Sequence, residues 1–116
     1  MLKSWFGEER GDASSSARRS PEAQSKIDEA TSKLALYHYE TCWFSGKVRS
    51  TISALNLSVE LRDIHVDRAH HQRLIAEGGS GTVPCLFIEK DDGSVQWLYE
   101  SSDISSYLEN RFAADL

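Results

Sequence analysis

The 116 residues predict a small α/β domain: a four-stranded mixed sheet flanked by helices, with an extra helix in front. Three observations lead there. The hydrophobic period switches from strand-like to helix-like across residues 34–55, a second strand follows at once, and a tight hairpin closes before a last amphipathic helix. A βαβ unit demands a parallel pair with a right-handed crossover, whereas a hairpin demands an antiparallel pair, so the sheet must be mixed.

Taken in order, residues 1–19 read as a disordered tail. Leu2, Trp5 and Phe6 are its only large apolar groups, and Glu8 to Arg19 is too polar to offset the entropy of ordering. Arg18 and Arg19 read as solvated. Residues 20–116 form the domain, with a preceding helix over 20–32 and a core over 34–112. Ser20-Pro21-Glu22 starts that helix with a capping hydroxyl, proline at the first helical position and an early acid. Ala23, Ile27 and Ala30 give it a thin apolar stripe. Leu34 to Tyr39 is apolar on both faces, as a covered central strand would be. Phe44, Val48, Ile52 and Leu55 recur at helical spacing, with Asn56 as a stop. Ser58 to Asp63 alternates, Val59 and Leu61 facing one way. Asp67 caps a helix over 68–77 that Gly78-Gly79 ends. Val83 to Ile88 is a strand entered through Pro84, Asp91 to Ser94 a turn, and Val95 to Tyr99 the returning strand. Ser101 or Ser102 caps the last helix, which buries Ile104, Tyr107, Leu108 and Phe112.

Bulk composition narrows the function. A net charge of −5 gives no general electrostatic support for nucleic-acid binding. No apolar run approaches membrane-spanning length, and no signal-peptide pattern is present. Two cysteines are too few for a disulfide framework or a four-cysteine zinc site, so a reducing cytoplasm is the expected setting. His38, His65, His70 and His71 are scattered and predict no metal site, because neighbouring histidines on a helix point apart.

Chemistry centres on Cys42. It lies where the first core strand gives way to a helix, and free amides at a helix start favour a thiolate. Lys47 and Arg49 are expected to add positive potential. Ser45, three residues on, cannot close a disulfide but can donate a hydrogen bond to the sulfur; an ordinary first-turn serine is the alternative. A mixed disulfide on Cys42 would then need an external thiol for its release. Cys85, in an apolar strand, reads as a core thiol, with a resolving cysteine as the rival reading. Trp43, Tyr37 and Tyr39 form an aromatic rim or, for the tyrosines, pack in the core.

Three motifs carry a resemblance: Thr41-Cys42-Trp43-Phe44-Ser45 after a strand, Thr82-Val83-Pro84, and Tyr99 to Ile104 opening the last helix. In this order and spacing, residues 34–112 resemble the glutaredoxin family and the similar N-terminal domain of glutathione transferases. From Ser20 onward the chain also resembles a bacterial glutaredoxin-like subgroup whose active site reads Cys-Pro-Phe-Cys. Trp43 and Ser45 depart from that pattern, and Ser45 makes the motif monothiol in type. The resemblance implies a thioredoxin-like fold with glutathione as co-substrate; no metal is expected, as the scattered histidines already indicate. It implies a cis bond into Pro84, with the Val83 backbone pairing to glutathione like an added strand. It implies that Thr82, Val83, Pro84, Glu100, Ser101 and Ser102 hold the tripeptide, hydroxyls and amides at the helix start suiting a carboxylate and an acid suiting an ammonium. Glu100 stands where the family has glycine, closer to the transferase Glu-Ser pattern. The expected function is glutathione-dependent thiol–disulfide exchange on a glutathionylated or disulfide-containing protein, with Cys42 and Ser45 catalytic. The alternatives are a non-catalytic module that binds glutathione or a protein and, third, a glutathione-ligated iron–sulfur carrier, which Trp43 would crowd.

Overall fold

A computed structural model describes residues 19–113; the tail reading of residues 1–18 falls outside it. The element order is α1 (Pro21–Thr31), β1 (Leu34–His38), α2 (Trp43–Ala54), β2 (Glu60–Asp63), α3 (Arg68–Arg73), β3 (Cys85–Glu89), β4 (Val95–Tyr99) and α4 (Ser101–Phe112). The strands form one sheet in the order β2-β1-β3-β4. β1 runs parallel to β2 and antiparallel to β3, and β3 and β4 form the hairpin, with Cys85 opposite Tyr99. This is the mixed sheet of a thioredoxin-like fold.

Strand alternation divides the core in two. Leu34, Leu36, Leu86 and Ile88 pack with Val48 and Ile52 of α2, Ile104, Leu108 and Phe112 of α4, and the thin stripe of α1. The opposite pleat sends Ala35, Tyr37, Cys85 and Phe87 into a second cluster with Ile64 and Leu74. Consecutive residues of β1 and β3 thus serve different helices, which is why both strands read as apolar throughout.

The helix ends follow local chemistry. Ser20 Oγ accepts from the Ala23 amide at 3.1 Å, and Asp67 caps α3 by accepting from the Ala69 amide at 2.9 Å. Asn56 takes a positive φ of 54° just beyond α2, as a stop residue should. α3 continues through a wider π-helical segment, Leu74–Gly78, and ends at Gly79 with φ 92°. Gly78 is glycine because a β-carbon there would lie 2.6 Å from the Tyr99 hydroxyl.

Three expectations are corrected. Phe44 is not on the buried stripe of α2: it is 54% exposed, and Ser45 occupies the inward position instead. Glu100, not a serine, precedes α4 as its cap residue, at φ 77° and without a side-chain capping bond. Val59 and Leu61 do line one groove, as their alternation predicts, although the edge strand β2 leaves Leu61 48% exposed. Arg19 is not solvated tail: its guanidinium donates to the Leu55 carbonyl at 2.6 Å and the Phe112 carbonyl at 2.7 Å, joining the ends of α2 and α4. Cations suit helix C-termini because carbonyls there lack intrahelical partners.

Candidate functional site

The site lies where β1 ends and α2 begins. The Cys42 amide donates to the Tyr39 carbonyl at 3.1 Å, closing a turn, and the Cys42 carbonyl accepts from Gly46 at 2.9 Å as the first helical bond. Cys42 is the cap residue of α2, in an extended conformation, and its sulfur accepts from the Ser45 amide at 3.4 Å. A thiol stands where serine or aspartate usually caps. Partial burial pushes its pKa up, but the Ser45 hydroxyl, the Ser45 and Phe44 amides and the Tyr39 hydroxyl outweigh that and leave it below the ordinary thiol value. Ser45 is buried, and its Oγ makes no hydrogen bond of standard geometry among the described residues. Its dipole favours a thiolate without being fully engaged.

Neither cation proposed from the sequence is among the groups that act most strongly on this thiol. Lys47 Nζ lies 4.9 Å from the Trp43 ring centroid, and Arg49 is hydrogen-bonded to residues 38–40 of the turn. Trp43 is 68% exposed and meets Phe44 edge-on at 5.1 Å, so the rim beside the sulfur is Trp43 and Phe44. Tyr37 is fully buried, and Tyr39 stacks on His65 at 4.1 Å.

A groove of about 440 Å³ adjoins this turn. Phe44 and Lys47 form one wall, Thr82, Val83 and Pro84 a second, and Glu100, Ser101 and Ser102 the third. All six residues assigned to the tripeptide therefore border one cavity. The Val83–Pro84 peptide is cis. Cys42 lines an adjoining depression of about 360 Å³ that shares Lys47 with the groove.

Cys85 takes no part. It belongs to the cluster on the α3 side of the sheet, whereas α2 covers the other side. Burial pushes its pKa to about 12, an effect that the Tyr99 hydroxyl only partly offsets. The resolving-cysteine reading has no geometric support. Among the described residues, no group of three or more His, Cys, Asp and Glu is placed to hold a metal ion, and no helix is long and apolar enough to cross a membrane.

The sequence reading gave Arg49 only as a source of positive potential and Tyr39 only as rim or core; it missed the hydrogen bonds of Arg49 to His38 and the turn, and the Tyr39 hydroxyl acting on the sulfur. The spacing of Arg49, one helical turn past Ser45, was the available signal.

Comparison with known proteins agrees with this architecture. The family described as "Glutathione S-transferase, N-terminal domain" matches residues 36–115. The chain belongs to that family. Maleylacetoacetate isomerase from Anaeromyxobacter dehalogenans 2CP-1, solved with glutathione bound in its active site, is 28% identical with a TM-score of 0.56. The alignment covers 71% of this chain and 38% of the isomerase. Glutathione transferase E6 from Drosophila melanogaster is 27% identical with a TM-score of 0.56, over 71% of this chain and 36% of the transferase. Glutathione transferase F7 from Populus trichocarpa is 27% identical with a TM-score of 0.55, over 71% and 37%. This chain thus spans under two-fifths of the length of each. No match was found among curated proteins.

Proposed function

We propose that this glutathione S-transferase N-terminal-type domain binds glutathione in the groove of Thr82–Pro84 and Glu100–Ser102 and performs monothiol, glutaredoxin-like exchange through Cys42. The observation that carries the reading is a capping thiolate-prone sulfur next to a groove lined by a cis-proline loop and a helix start. The free Val83 backbone, which forms no hydrogen bond among the described residues, suits strand-like pairing with an extended peptide. Ser101 and Ser102 at the start of α4 suit a carboxylate, and the exposed Glu100 suits an ammonium.

The chemistry has two steps. The Cys42 thiolate attacks the glutathione sulfur of a mixed disulfide; the new bond joins Cys42 to glutathione, and the partner leaves as a thiolate that takes a proton from water. A second glutathione thiolate then attacks the glutathione sulfur held on Cys42, forming oxidised glutathione and freeing the Cys42 thiolate. Overall one glutathione thiol is oxidised and the partner's sulfur is reduced to a thiol, so one mixed disulfide is exchanged for one molecule of oxidised glutathione. Serine at position 45 and the burial of Cys85 leave no internal thiol to take the second step. A glutathionylated protein in a reducing cytoplasm is the fitting substrate, and the exposed Trp43 and Phe44 offer it an apolar rim.

A second reading, glutathione binding without exchange, draws on the Ser45 hydroxyl that is not fully engaged with the sulfur. Turnover of a small-thiol–glutathione mixed disulfide separates the two. Exchange requires activity in the wild type and none in Cys42→Ser. Equal rates in both would overturn catalysis, and glutathione binding without turnover would leave the second reading standing.

A further inference from the structure

Arg49 is the most heavily committed side chain near the site. Its Nη1 donates to His38 Nδ1 at 2.9 Å and to the Tyr39 carbonyl at 3.3 Å, and its Nη2 donates to the Glu40 carbonyl at 3.0 Å. Three consecutive residues of the segment leading to Cys42 are thereby tied to one guanidinium. The Tyr39 carbonyl is also the acceptor of the Cys42 amide. Arg49 rides on the same helix as Ser45, whose amide points at the sulfur, four residues earlier. Its three anchors thus fix the segment carrying the thiol to the helix that supplies the stabilising dipoles.

From this geometry we infer that Arg49 is a positioning residue for Cys42, holding the turn 38–42 against the start of α2. Its hydrogen bonds all go to the turn and none to the sulfur itself. The planar fork of arginine is what permits three acceptors at once; lysine has a single nitrogen and cannot span them in this arrangement. His38 completes the device. It is buried, and burial first, then Arg49, hold it below the ordinary imidazole value against the opposing pull of Asp63 and Glu40. A neutral ring with the proton on Nε2 presents the Nδ1 lone pair that Arg49 needs.

The inference rests on the proposed role of the Cys42 thiolate, and its test keeps the two apart. The rate of Cys42 alkylation by iodoacetamide is followed against pH in the full chain, on a Cys85→Ala background, for wild type, Arg49→Met and Arg49→Lys. Arg19→Met serves as a variant that loses helix-end contacts away from the thiol. Loss of positioning raises the Cys42 midpoint in Arg49→Met, cutting the rate near neutral pH by about threefold or more, since only the thiolate reacts. Arg49→Lys moves in the same direction by less, and Arg19→Met keeps the wild-type midpoint although it melts earlier. Should Arg49→Met fail to fold, Arg49→Lys carries the same test. Unmoved midpoints in the folded Arg49 variants, or an equal shift in Arg19→Met, would overturn the inference while leaving the exchange reading intact. A wild-type midpoint at the free-cysteine value would instead sink the thiolate role, and the inference with it.

Discussion

The two cysteines of this chain have the same side chain and opposite environments. Cys42 ends a turn at the start of a twelve-residue helix, half-buried, with amides and hydroxyls facing its sulfur. Cys85 sits mid-sheet at 0% exposure between Tyr37 of β1 and Tyr99 of β4. One thiol is held below its ordinary pKa and the other is raised to about 12. Burial raises both; only Cys42 has enough dipoles aimed at it to reverse the effect. Reactivity here is a property of backbone placement more than of residue type.

The sharpest way to break this contrast is to remove each thiol in turn. Cys42→Ser should reduce glutathione-dependent exchange to the uncatalysed background, whereas Cys85→Ala should keep wild-type turnover in the same coupled assay. Loss of activity in the Cys85 variant with its fold intact would mean that the sheet thiol takes part after all.

Stability provides a second lever, which should act on neither sulfur. Arg19→Met removes charge-assisted bonds to the Leu55 and Phe112 carbonyls and should cost about 1–3 kcal/mol in urea denaturation. Glutathione-dependent activity should persist wherever the variant is folded.

Alkaline pH opposes the two thiols. Cys85 has a raised folded pKa, so its contribution to stability is full below the ordinary value of 9.0 and is lost as pH climbs toward about 12. Tyr99, likewise raised to about 12 by burial and by Cys85, adds to the same loss. Cys42 has a lowered folded pKa, so its contribution is present above the ordinary value and is lost as pH falls through the folded one. Denaturation midpoints should therefore fall above pH 9, with each buried group contributing a slope approaching about 1.4 kcal/mol per pH unit while it is ionised only in the unfolded chain. Cys85→Ala should flatten that fall, and an unchanged slope would refute the buried-thiol assignment.

The smallest expected effect is at Ser45. Its buried hydroxyl lacks a well-formed partner, so Ser45→Ala should leave stability unchanged or raise it by up to about 1 kcal/mol in thermal melts. The same substitution should raise the Cys42 midpoint, because a dipole that favours the thiolate is gone. A fall in stability without a shift in the midpoint would make Ser45 a packing residue only.

Much of this was legible in the chain itself. Every strand and helix followed from hydrophobic period and turn chemistry, and β4 over Val95–Tyr99 agrees residue for residue. Cys42 at the head of a helix was readable from the switch of period at Phe44. What escaped depends on contacts far apart in sequence. Arg19 meets carbonyls 36 and 93 residues away, which no local pattern encodes. Phe44 matched the helical stripe, yet Ser45 is the buried residue of the first turn of α2 and Phe44 lines the groove. Glu100 has a left-handed backbone that serine-rich caps do not announce. The pairing of Arg49 with His38 needed the crossing of β1 and α2 to be known first.

The environment separates the two thiols, and one titration tests that separation. Alkylation of the native protein across pH, followed by peptide mapping, reads both sulfurs in a single sample. Cys42 should react with a midpoint below the ordinary thiol value of 9.0, and Cys85 should stay unlabelled until the chain unfolds. A Cys42 midpoint at or above that value, or labelling of Cys85 in the folded protein at the same rate, would contradict it.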